Sequence, residues 1–385
     1  MKAAPSGRTI ILLLALCAML GSLATQLLVP ALPRMASDLG ADTRTIQLVI
    51  GLYLAGLGAG QLIAGPLSDR FGRKPVLLGG LLLFVAGSAI AAITSNMMVI
   101  LGARVLQALG AAAGVVASRV MVADYFPAHE IAARQATLMA VVLLSPAAAP
   151  VIGGLIAETL GWRAIFAGLV VLALVNAALA VPMLPVPDTA RRTADSLRVA
   201  CRSLGRNRQY LWNVAAIAAG SAALYTYLAA APFVLDQGFG LGPRDSGLCL
   251  LLVAASSIAG TRLVRRLDRT GGGQVAGALI MTLGALLLFV LGLSGLDRLM
   301  PVLLGTAVLG VGAGVAGPSG IGHIIQSSPG NEGTAASLAG AAQMLTSALA
   351  AGTVGHAATL GTIWMGGVLT ALASFSLLSA WQGHR

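Results

Sequence analysis

The chain has 385 residues, of which 57% are apolar and 10% are charged, and its mean hydropathy is +0.89. This composition excludes a soluble domain, because a soluble chain of this size needs a polar surface that so few charged residues cannot supply. The formal net charge of +11 would suggest nucleic-acid binding in a soluble protein, but in so apolar a chain it favours a role in membrane topology.

Twelve apolar segments, each long enough to cross a bilayer as a helix, follow one another along the chain. They cover residues 9–33, 44–66, 75–95, 97–122, 133–157, 163–184, 210–235, 246–264, 274–295, 299–325, 334–357 and 360–381. Because lipid leaves the backbone only helices or closed barrels, the segments predict an all-α polytopic membrane protein with twelve transmembrane helices. The first segment is too long for a cleaved signal peptide and is predicted to remain as the first span.

The basic residues are distributed unevenly between the two sides of the predicted bundle. Eighteen of the 24 Lys and Arg residues lie at the termini or in one set of alternate connections, five lie in the other set, and Arg104 lies inside the fourth span. Cytoplasmic loops carry the excess of basic residues in membrane proteins. The sequence therefore predicts a multi-pass protein of the cell inner membrane with both termini in the cytoplasm, surrounded by lipid and not bound to nucleic acid.

The longest polar connection divides the chain into two parts. Residues 185–209 form a predicted cytoplasmic linker between an N-terminal six-helix bundle, residues 1–184, and a C-terminal six-helix bundle, residues 210–385. The tetrapeptide "DRFG" after the second span returns as "DRTG" after the eighth, the equivalent position in the second bundle. Two pseudo-symmetric halves of six spans are typical of transporters whose halves rock about a site near the bilayer midplane.

No pattern in the chain predicts a metal site, a cofactor or an enzyme. The three cysteines, Cys17, Cys201 and Cys249, are odd in number and far apart, so they indicate neither a disulfide framework nor a metal site. The "GAGVAG" run at 312–317 has the spacing of a nucleotide fingerprint but lies in a predicted span with no strand before it. The expected partner is a small molecule that is carried, and the protein is expected to be a monomer.

The polar stretch "GPLSDRFGRKP" between the second and third spans resembles the loop signature of the major facilitator superfamily. The residues that carry this resemblance are Gly65, Asp69, Arg70, Gly72, Arg73 and Lys74. The resemblance implies that Asp69 faces the N-terminus of the eleventh span, where the helix dipole favours an anion, and that Arg73 pairs with Asp124. Such a latch would hold the halves together in the outward-facing state and would have to break for inward opening; the alternative is a solvated loop that obeys the charge asymmetry.

Two motifs inside spans extend the resemblance. "RVLQALGAAAG" in the fourth span is similar to the family's R-x-x-Q-G-x-G motif through Arg104 and Gln107, although Ala108 replaces a glycine. "SPAAAPVIGG" in the fifth span is similar to the family's antiporter motif, with Ala149 in place of a glycine. The residues of this antiporter-motif helix are Pro146, Pro150, Gly153 and Gly154. The family implies that the prolines kink the helix and seal the bundle against proton leak; an irregularity of packing is the alternative.

Three further segments are similar to the Bcr/CflA branch of the superfamily, which comprises drug:proton antiporters of bicyclomycin and chloramphenicol resistance: "VPALPRMASDLG", "APFVLDQGFGLGPRDSG" and "GTAASLAGAAQML". The branch places an aspartate in the first span where this chain has Gln26, which cannot carry a proton. Proton coupling would then depend on poorer candidates. These are Asp124, Asp69, Glu130 and His323.

Arg104 is the one charged residue in mid-span, and insertion of a guanidinium there costs about 2.5 to 3.5 kcal/mol. We expect it to face the protein interior and to bind substrate or a coupling partner; a structural clamp on carbonyl groups is the alternative. The candidate cavity and coupling residues are Gln26, Tyr53, Arg104, Gln107, Tyr225 and Gln343. A cavity with an arginine and no carboxylate disfavours cationic substrates.

The sequence therefore predicts a secondary active transporter of the inner membrane. It would export neutral or anionic small organic molecules, such as phenicols, by proton antiport and alternating access. A dedicated exporter of a native metabolite or siderophore, not coupled to protons, is the alternative within transport. A membrane-embedded enzyme or receptor is disfavoured, because the chain has neither a catalytic constellation nor a sizeable soluble domain.

Overall fold

A computed structural model describes residues 6–184, 201–267, 272–295, 298–328 and 332–384. The regular secondary structure of these ranges is helical. The helices are α1 Gly7–Gln26, α2 Leu32–Leu39, α3 Thr43–Phe71, α4 Arg73–Ile93, α5 Met97–Tyr125, α6 Ala128–Thr159, α7 Trp162–Met183, α8 Arg208–Phe239, α9 Pro243–Leu267, α10 Gly273–Leu293, α11 Leu299–Gln326, α12 Glu332–Gly352 and α13 Ala357–His384. The prediction of an all-α protein is confirmed.

The long helices follow the order of the predicted spans. In the part of the chain that the structure describes, ten helical stretches are long and apolar enough to cross a membrane, and the first of them joins α1 and α2 as Gly7–Leu39. The helices α6 and α12 lie where the fifth and eleventh spans were predicted. We call the end of the bundle where α1 begins and α13 ends the terminal face, and the other end the opposite face.

Side-chain caps and glycines set many of the helix ends. Four N-caps accept a hydrogen bond from the first helical turn through their side chains: Ser6, Asp42, Asn96 and Asn207. Two helices, α2 and α8, end at glycines in the left-handed conformation, Gly40 and Gly240. Hydrogen bonds from the side chain and backbone of Thr45 lower the pKa of the Asp42 carboxyl group at the start of α3.

The first span is broken, which the hydropathy pattern did not predict. The predicted span runs without interruption from residue 9 to 33, but α1 ends at Gln26, and a 3₁₀ turn, Val29–Ala31, leads into α2. Pro30 and Pro33 lie in and directly after this turn, and neither proline can donate a helical hydrogen bond. The carbonyl groups of Leu23 and Thr25 accept hydrogen bonds from the backbone of Leu27 and Leu28, and the carbonyl group of Ala24 between them is available to another helix.

Packing within each half repeats with the same pattern. In the first half α4 packs against α5 and α7, α3 against α5, and α1 against α6. In the second half α10 packs against α11 and α13, α9 against α11, and α8 against α12. These are equivalent pairs after a shift of six spans, so two pseudo-symmetric halves are confirmed. The exact domain limits remain a prediction, and most of the predicted linker, residues 185–200, lies outside the described residues.

Two helix pairs form the most extensive contacts between the halves in the described part of the chain. The helix α3 packs against α12, and α6 packs against α9. These pairs exchange under the same pseudo-symmetry, because α3 corresponds to α9 and α6 corresponds to α12. A rocking motion of the halves must therefore change the contacts along α3–α12 and α6–α9.

Candidate functional site

The broken end of α1 is held by side chains from neighbouring helices. The hydroxyl of Tyr53 on α3 donates a 2.9 Å hydrogen bond to the carbonyl oxygen of Gly21. Nη1 of Arg104 on α5 donates a 3.2 Å bond to the carbonyl oxygen of Ala24, one turn further along. Ala24 lies in the last turn of α1, where a cation interacts favourably with the helix dipole.

The antiporter-motif helix α6 packs against the carbonyl group of Leu27, which follows those of Gly21 and Ala24 along the chain. The backbone of Gly153 on α6 lies so close to Leu27 that a Cβ atom at this glycine would overlap the Leu27 carbonyl oxygen. The residue just before the turn therefore packs directly against the motif. Motif residues on α5 and α6 thus meet at one feature, the end of α1.

The guanidinium of Arg104 is fully enclosed, with 0% of the residue exposed. Nε donates a 3.0 Å bond to the Val49 carbonyl oxygen, and Nη1 also donates to Oε1 of Gln107. The guanidinium carbon lies 4.0 Å from the ring centroid of Tyr53 and 5.9 Å from that of Phe166, distances at which a cation is attracted to an aromatic face. Arg104 thus joins α1, α3, α5 and α7, and this geometry favours the carbonyl clamp over the substrate ligand.

Gln107 extends this network to α4. Its Nε2 donates a 2.7 Å hydrogen bond to the hydroxyl of Ser88, which in turn donates a 2.7 Å bond to the Phe84 carbonyl oxygen. Gln107 and Ser88 are fully buried. The predicted cavity residue Gln107 therefore orients Arg104 and does not line an open surface.

Gln26 occupies a buried position at the last residue of α1. Only 4% of the residue is exposed, and its Oε1 atom has no hydrogen-bond partner among the described residues. An unpaired buried amide oxygen costs about 1–3 kcal/mol. The position where the family branch places an acid is therefore enclosed and holds a neutral polar group that lacks a partner.

The loop between α3 and α4 forms the ion pair that the sequence predicts. Gly72 has φ +92°, which lets the chain turn sharply from α3 into α4. Nε of Arg73 lies 3.2 Å from Oδ2 of Asp124, and the two side chains are only 6% and 14% exposed. Both residues belong to the first half, so the pair joins α4 to α5. The expected contact of Asp69 with the second half lies outside the described side chains.

Lys74 has a role that the latch hypothesis did not include. Its Nζ donates 2.8 and 2.6 Å hydrogen bonds to the carbonyl oxygens of Val181 and Leu184 at the end of α7. A cation at the C-terminus of a helix is stabilised by the helix dipole. Arg70 is exposed, with its guanidinium 5.1 Å from the Phe71 ring, and a Cβ atom at Gly65 would meet no neighbouring atom within 4 Å.

Replacing Asp124 with asparagine is expected to destabilise the protein by about 3 kcal/mol and to slow export. The substitution removes the carboxylate from a largely buried ion pair with Arg73, and breaking one side of such a pair is costly. Thermal unfolding in detergent and export from liposomes measure the two effects. The double variant Arg73→Gln/Asp124→Asn should be more stable than the single variant; strictly additive losses would show that the pair contributes nothing.

The second half carries a neutral polar cluster on α8 and α12. Nε2 of Gln343 donates a hydrogen bond to the Ser221 hydroxyl, and the Ser347 hydroxyl donates a 2.7 Å bond to the Gln343 carbonyl oxygen. Tyr225 follows Ser221 by one turn and is half-buried, as are Ser221 and Gln343. The helix α12, which carries Gln343, packs against α3 of the first half. This cluster therefore belongs to the boundary between the halves.

The antiporter-motif helix also builds the contact with the second half. A Cβ atom at Gly154 would overlap the carbonyl oxygen of Pro243, and one at Gly247 would overlap the carbonyl oxygen of Pro150. The backbones of α6 and α9 are therefore in direct contact at the opposite face. The side chain of Pro146 lies outside the described ones, and the predicted kink remains a prediction, although the chain is helical throughout Ala128–Thr159.

The described candidates for a proton carrier already have partners. Asp124 pairs with Arg73, as above. Glu130 accepts hydrogen bonds of 3.0 and 2.8 Å from Arg134 one turn later, and Nδ1 of His323 lies 3.2 Å from Oε1 of Gln274 on α10. Protonation of either carboxylate would weaken its existing ionic contact, whereas His323 can donate to Gln274 through Nδ1 with or without a proton on Nε2.

Two polar contacts at the opposite face were not predicted. Nε2 of Gln47 on α3 donates a 2.8 Å hydrogen bond to the carbonyl oxygen of Ala229 on α8. Nη1 of Arg34 donates to the carbonyl oxygens of Ala157 and Glu158 at the end of α6, at 3.1 and 3.3 Å. The sequence signal for the first contact was a glutamine inside the apolar run "TIQLVI", which indicates a polar group inside the bundle.

The paired helix packing, the motif contacts and the membrane-spanning helices define a polytopic small-molecule transporter. The chain belongs to the Major Facilitator Superfamily, whose family model matches residues 14–351. It is thus a transporter and not an enzyme. The matched region includes the first half from residue 14 and the second half up to α12, and it contains the site residues described above.

Its similar proteins include drug-resistance transporters. The chloramphenicol resistance protein of Pseudomonas aeruginosa is 45% identical over 158 residues, which are 41% of this chain and 38% of that protein. Multidrug resistance protein D of Escherichia coli K12 is 28% identical over 346 residues, 89% of this chain and 87% of the relative. A crystal structure of a D-xylose-proton symporter matches the fold with a TM-score of 0.80 at 18% identity, over 97% of both chains.

Proposed function

We propose that this protein exports small organic molecules across the inner membrane by alternating access, in exchange for protons. The main support for the proposal is the position of the antiporter-motif helix α6, which lies between the broken end of α1 and the second half. Gly153 contacts Leu27 and Gly154 contacts Pro243, so this helix lies against both the end of α1 and the second half at the opposite face. The similarity to chloramphenicol and multidrug resistance proteins supports export as the direction.

The proposed substrates are neutral hydrogen-bonding molecules such as phenicols, with anionic compounds second. Arg104 is enclosed, but its positive charge still disfavours a cation nearby. The half-buried anchors Ser221, Tyr225 and Gln343 are uncharged. Neutral donors and acceptors of this kind orient a ligand within an otherwise apolar wall.

The proposed proton carrier is Asp124. Gln26 cannot carry a proton, whereas Asp124 is a partly buried carboxylate in an ion pair with Arg73. A partly buried carboxylate binds a proton more readily once it is separated from its arginine. The charge asymmetry of the loops supports the proposed orientation, with both termini in the cytoplasm, and a single chain contains both halves, as a monomeric transporter needs.

A second candidate is an exporter of a native metabolite or an anionic siderophore that does not use protons. The specific observation in its favour is Gln26, a buried amide where the family branch has an acid. A facilitator of this kind would keep the contacts that open and close the bundle but would lack a group that carries the proton.

A transport measurement separates the two candidates. The purified protein is placed in liposomes that contain a pH-sensitive dye, and a neutral phenicol, a cationic dye and an anionic siderophore are supplied in turn. We expect the phenicol to move, with protons moving in the opposite direction, and the cationic dye to move least. Asp124→Asn should abolish the proton flux, whereas Asp236→Asn, at an exposed carboxylate, should not.

Two other outcomes would contradict the first candidate. Movement of the phenicol or siderophore without proton flux would contradict antiport and support the second candidate. If none of the three compounds moves while the protein remains folded, the proposed export of such molecules is wrong.

A further inference from the structure

At the opposite face, two of the contacts between the halves are of backbone on backbone and carry no charge. Backbone packs on backbone at Gly154–Pro243 and at Gly247–Pro150. Such contacts close tightly because glycine has no Cβ atom, but they add no ionic attraction. Any directional contact between the halves at this face is therefore important for the balance between the closed and open states.

Gln47 supplies such a contact. It lies on α3 in the first half and is 0% exposed, and its Nε2 atom donates a 2.8 Å hydrogen bond to the carbonyl oxygen of Ala229 on α8 in the second half. Ala229 lies inside a long helix, so its carbonyl oxygen has a helical partner as well. When the halves separate, the carbonyl group is not left without a hydrogen bond, and Gln47 alone loses its partner.

The other end of the same amide is unsatisfied. Oε1 of Gln47 has no hydrogen-bond partner in the described part of the chain, although the residue is fully buried. A buried hydrogen bond contributes about 0.5–1.5 kcal/mol, and an unpaired buried oxygen costs about 1–3 kcal/mol. The two effects are of similar size and opposite sign. Opening this face would give the oxygen access to water and remove the cost.

We propose that Gln47 is the latch of the opposite face, which aligns the two halves through Nε2 and is kept weak by its unpaired Oε1. This inference rests on the proposed alternating access, because a latch has meaning only if this face opens. Its role differs from that of the Arg73–Asp124 pair, which lies at the terminal face and within one half. A weak latch suits a transporter, since a strongly bonded gate would trap one state.

Substitutions at Gln47 test separately the alignment through Nε2 and the weakening by the unpaired Oε1. Spin labels at positions 44 and 238, on the N-terminal and C-terminal halves of the opposite face, report the distance between the halves in liposomes. Cys201 and Cys249 are first replaced by serine. In Gln47→Asn the shorter side chain cannot reach Ala229, and the open-to-closed ratio should rise about three- to fivefold, as expected for one lost hydrogen bond.

A carboxylate and an apolar group at the same position should act in opposite directions. Gln47→Glu places a carboxylate against a carbonyl oxygen, so at pH 8 the open-to-closed ratio should rise at least about tenfold. At pH 5 the shift should be smaller, because a protonated carboxyl group can donate to Ala229. Gln47→Leu removes the unpaired oxygen together with the donor and should leave the face closed at least as often as in the native protein.

The matched control is Gln209→Glu, at an exposed glutamine on the terminal face, which should leave the distances unchanged. The latch is refuted if Gln47→Asn and Gln47→Glu give the distances of this control. Opening of the face by Gln47→Leu would refute the inference that Oε1 offsets the bond.

The distance measurement needs neither substrate nor a proton gradient. If the Gln47 variants shift the distances as expected but liposomes export nothing, the latch stands and the proposed export is wrong. If export is measured while the distances do not respond to Gln47, export stands and the latch is wrong.

Discussion

Replacing Arg104 with alanine is expected to lower the free energy of unfolding by about 3 kcal/mol and to abolish export. The change removes the hydrogen bonds to Ala24 and Val49, leaves Oε1 of Gln107 without its donor, and opens a cavity beside Tyr53. The end of α1 would then lose its cap. Chemical unfolding in detergent and phenicol export from liposomes measure the two losses.

The control is Arg163→Ala. This arginine lies 4.2 Å from the ring of Trp162 and donates one hydrogen bond of 2.9 Å to Ser95, at the edge of the bundle. Its loss should cost less than about 1 kcal/mol. If Arg104→Ala unfolds like the native protein but shows a raised KM for the phenicol, Arg104 is a substrate ligand and the clamp interpretation is wrong.

Placing aspartate at Gln26 is expected to extend transport to cationic compounds, with at least a tenfold higher rate for a cationic dye, a change of about 1.4 kcal/mol in the barrier. The position is 4% exposed and its amide oxygen has no partner among the described residues. A carboxyl group in such a place stays neutral until a cation or a proton acceptor approaches. Dye uptake and proton flux in liposomes, measured together, check this result.

Gln237→Asp is the matched control, because Gln237 lies on the same face of the bundle but is exposed. It should change neither the dye uptake nor the proton flux. An unchanged rate for the cationic dye in Gln26→Asp would show that the charge of this position does not select substrates.

The fold could be predicted from the sequence because its signals are local. Hydropathy marks each lipid-buried helix directly, and the repeated tetrapeptide at equivalent loops indicated the two halves. The Arg73–Asp124 pair could be predicted through the family resemblance, since the motif fixes which loop and which helix end meet. Neither inference needed the packing of the helices to be known.

The environment of Arg104 could not be predicted in the same way. Hydropathy places this residue in a span, but not on a particular side of the helix, and its carbonyl partners lie 55 and 80 residues away in the chain. Pro30 and Pro33 mark the break after Gln26 locally, but the donor to the Ala24 carbonyl group comes from α5 and the helix that packs against Leu27 is α6, and neither can be read from nearby residues. The bond from Gln47 to Ala229 joins residues 182 positions apart, and only the packed bundle shows it.

The broken end of α1 has a consequence for the order in which the protein is made. The first span leaves the ribosome early, yet the donor for its Ala24 carbonyl group is synthesised 80 residues later, and Gly153 follows later still. In hydrocarbon a carbonyl group without a donor is costly. The nascent first span therefore depends on the insertion machinery or on lipid headgroups until α5 and α6 arrive, and the first half becomes self-sufficient only as a complete unit.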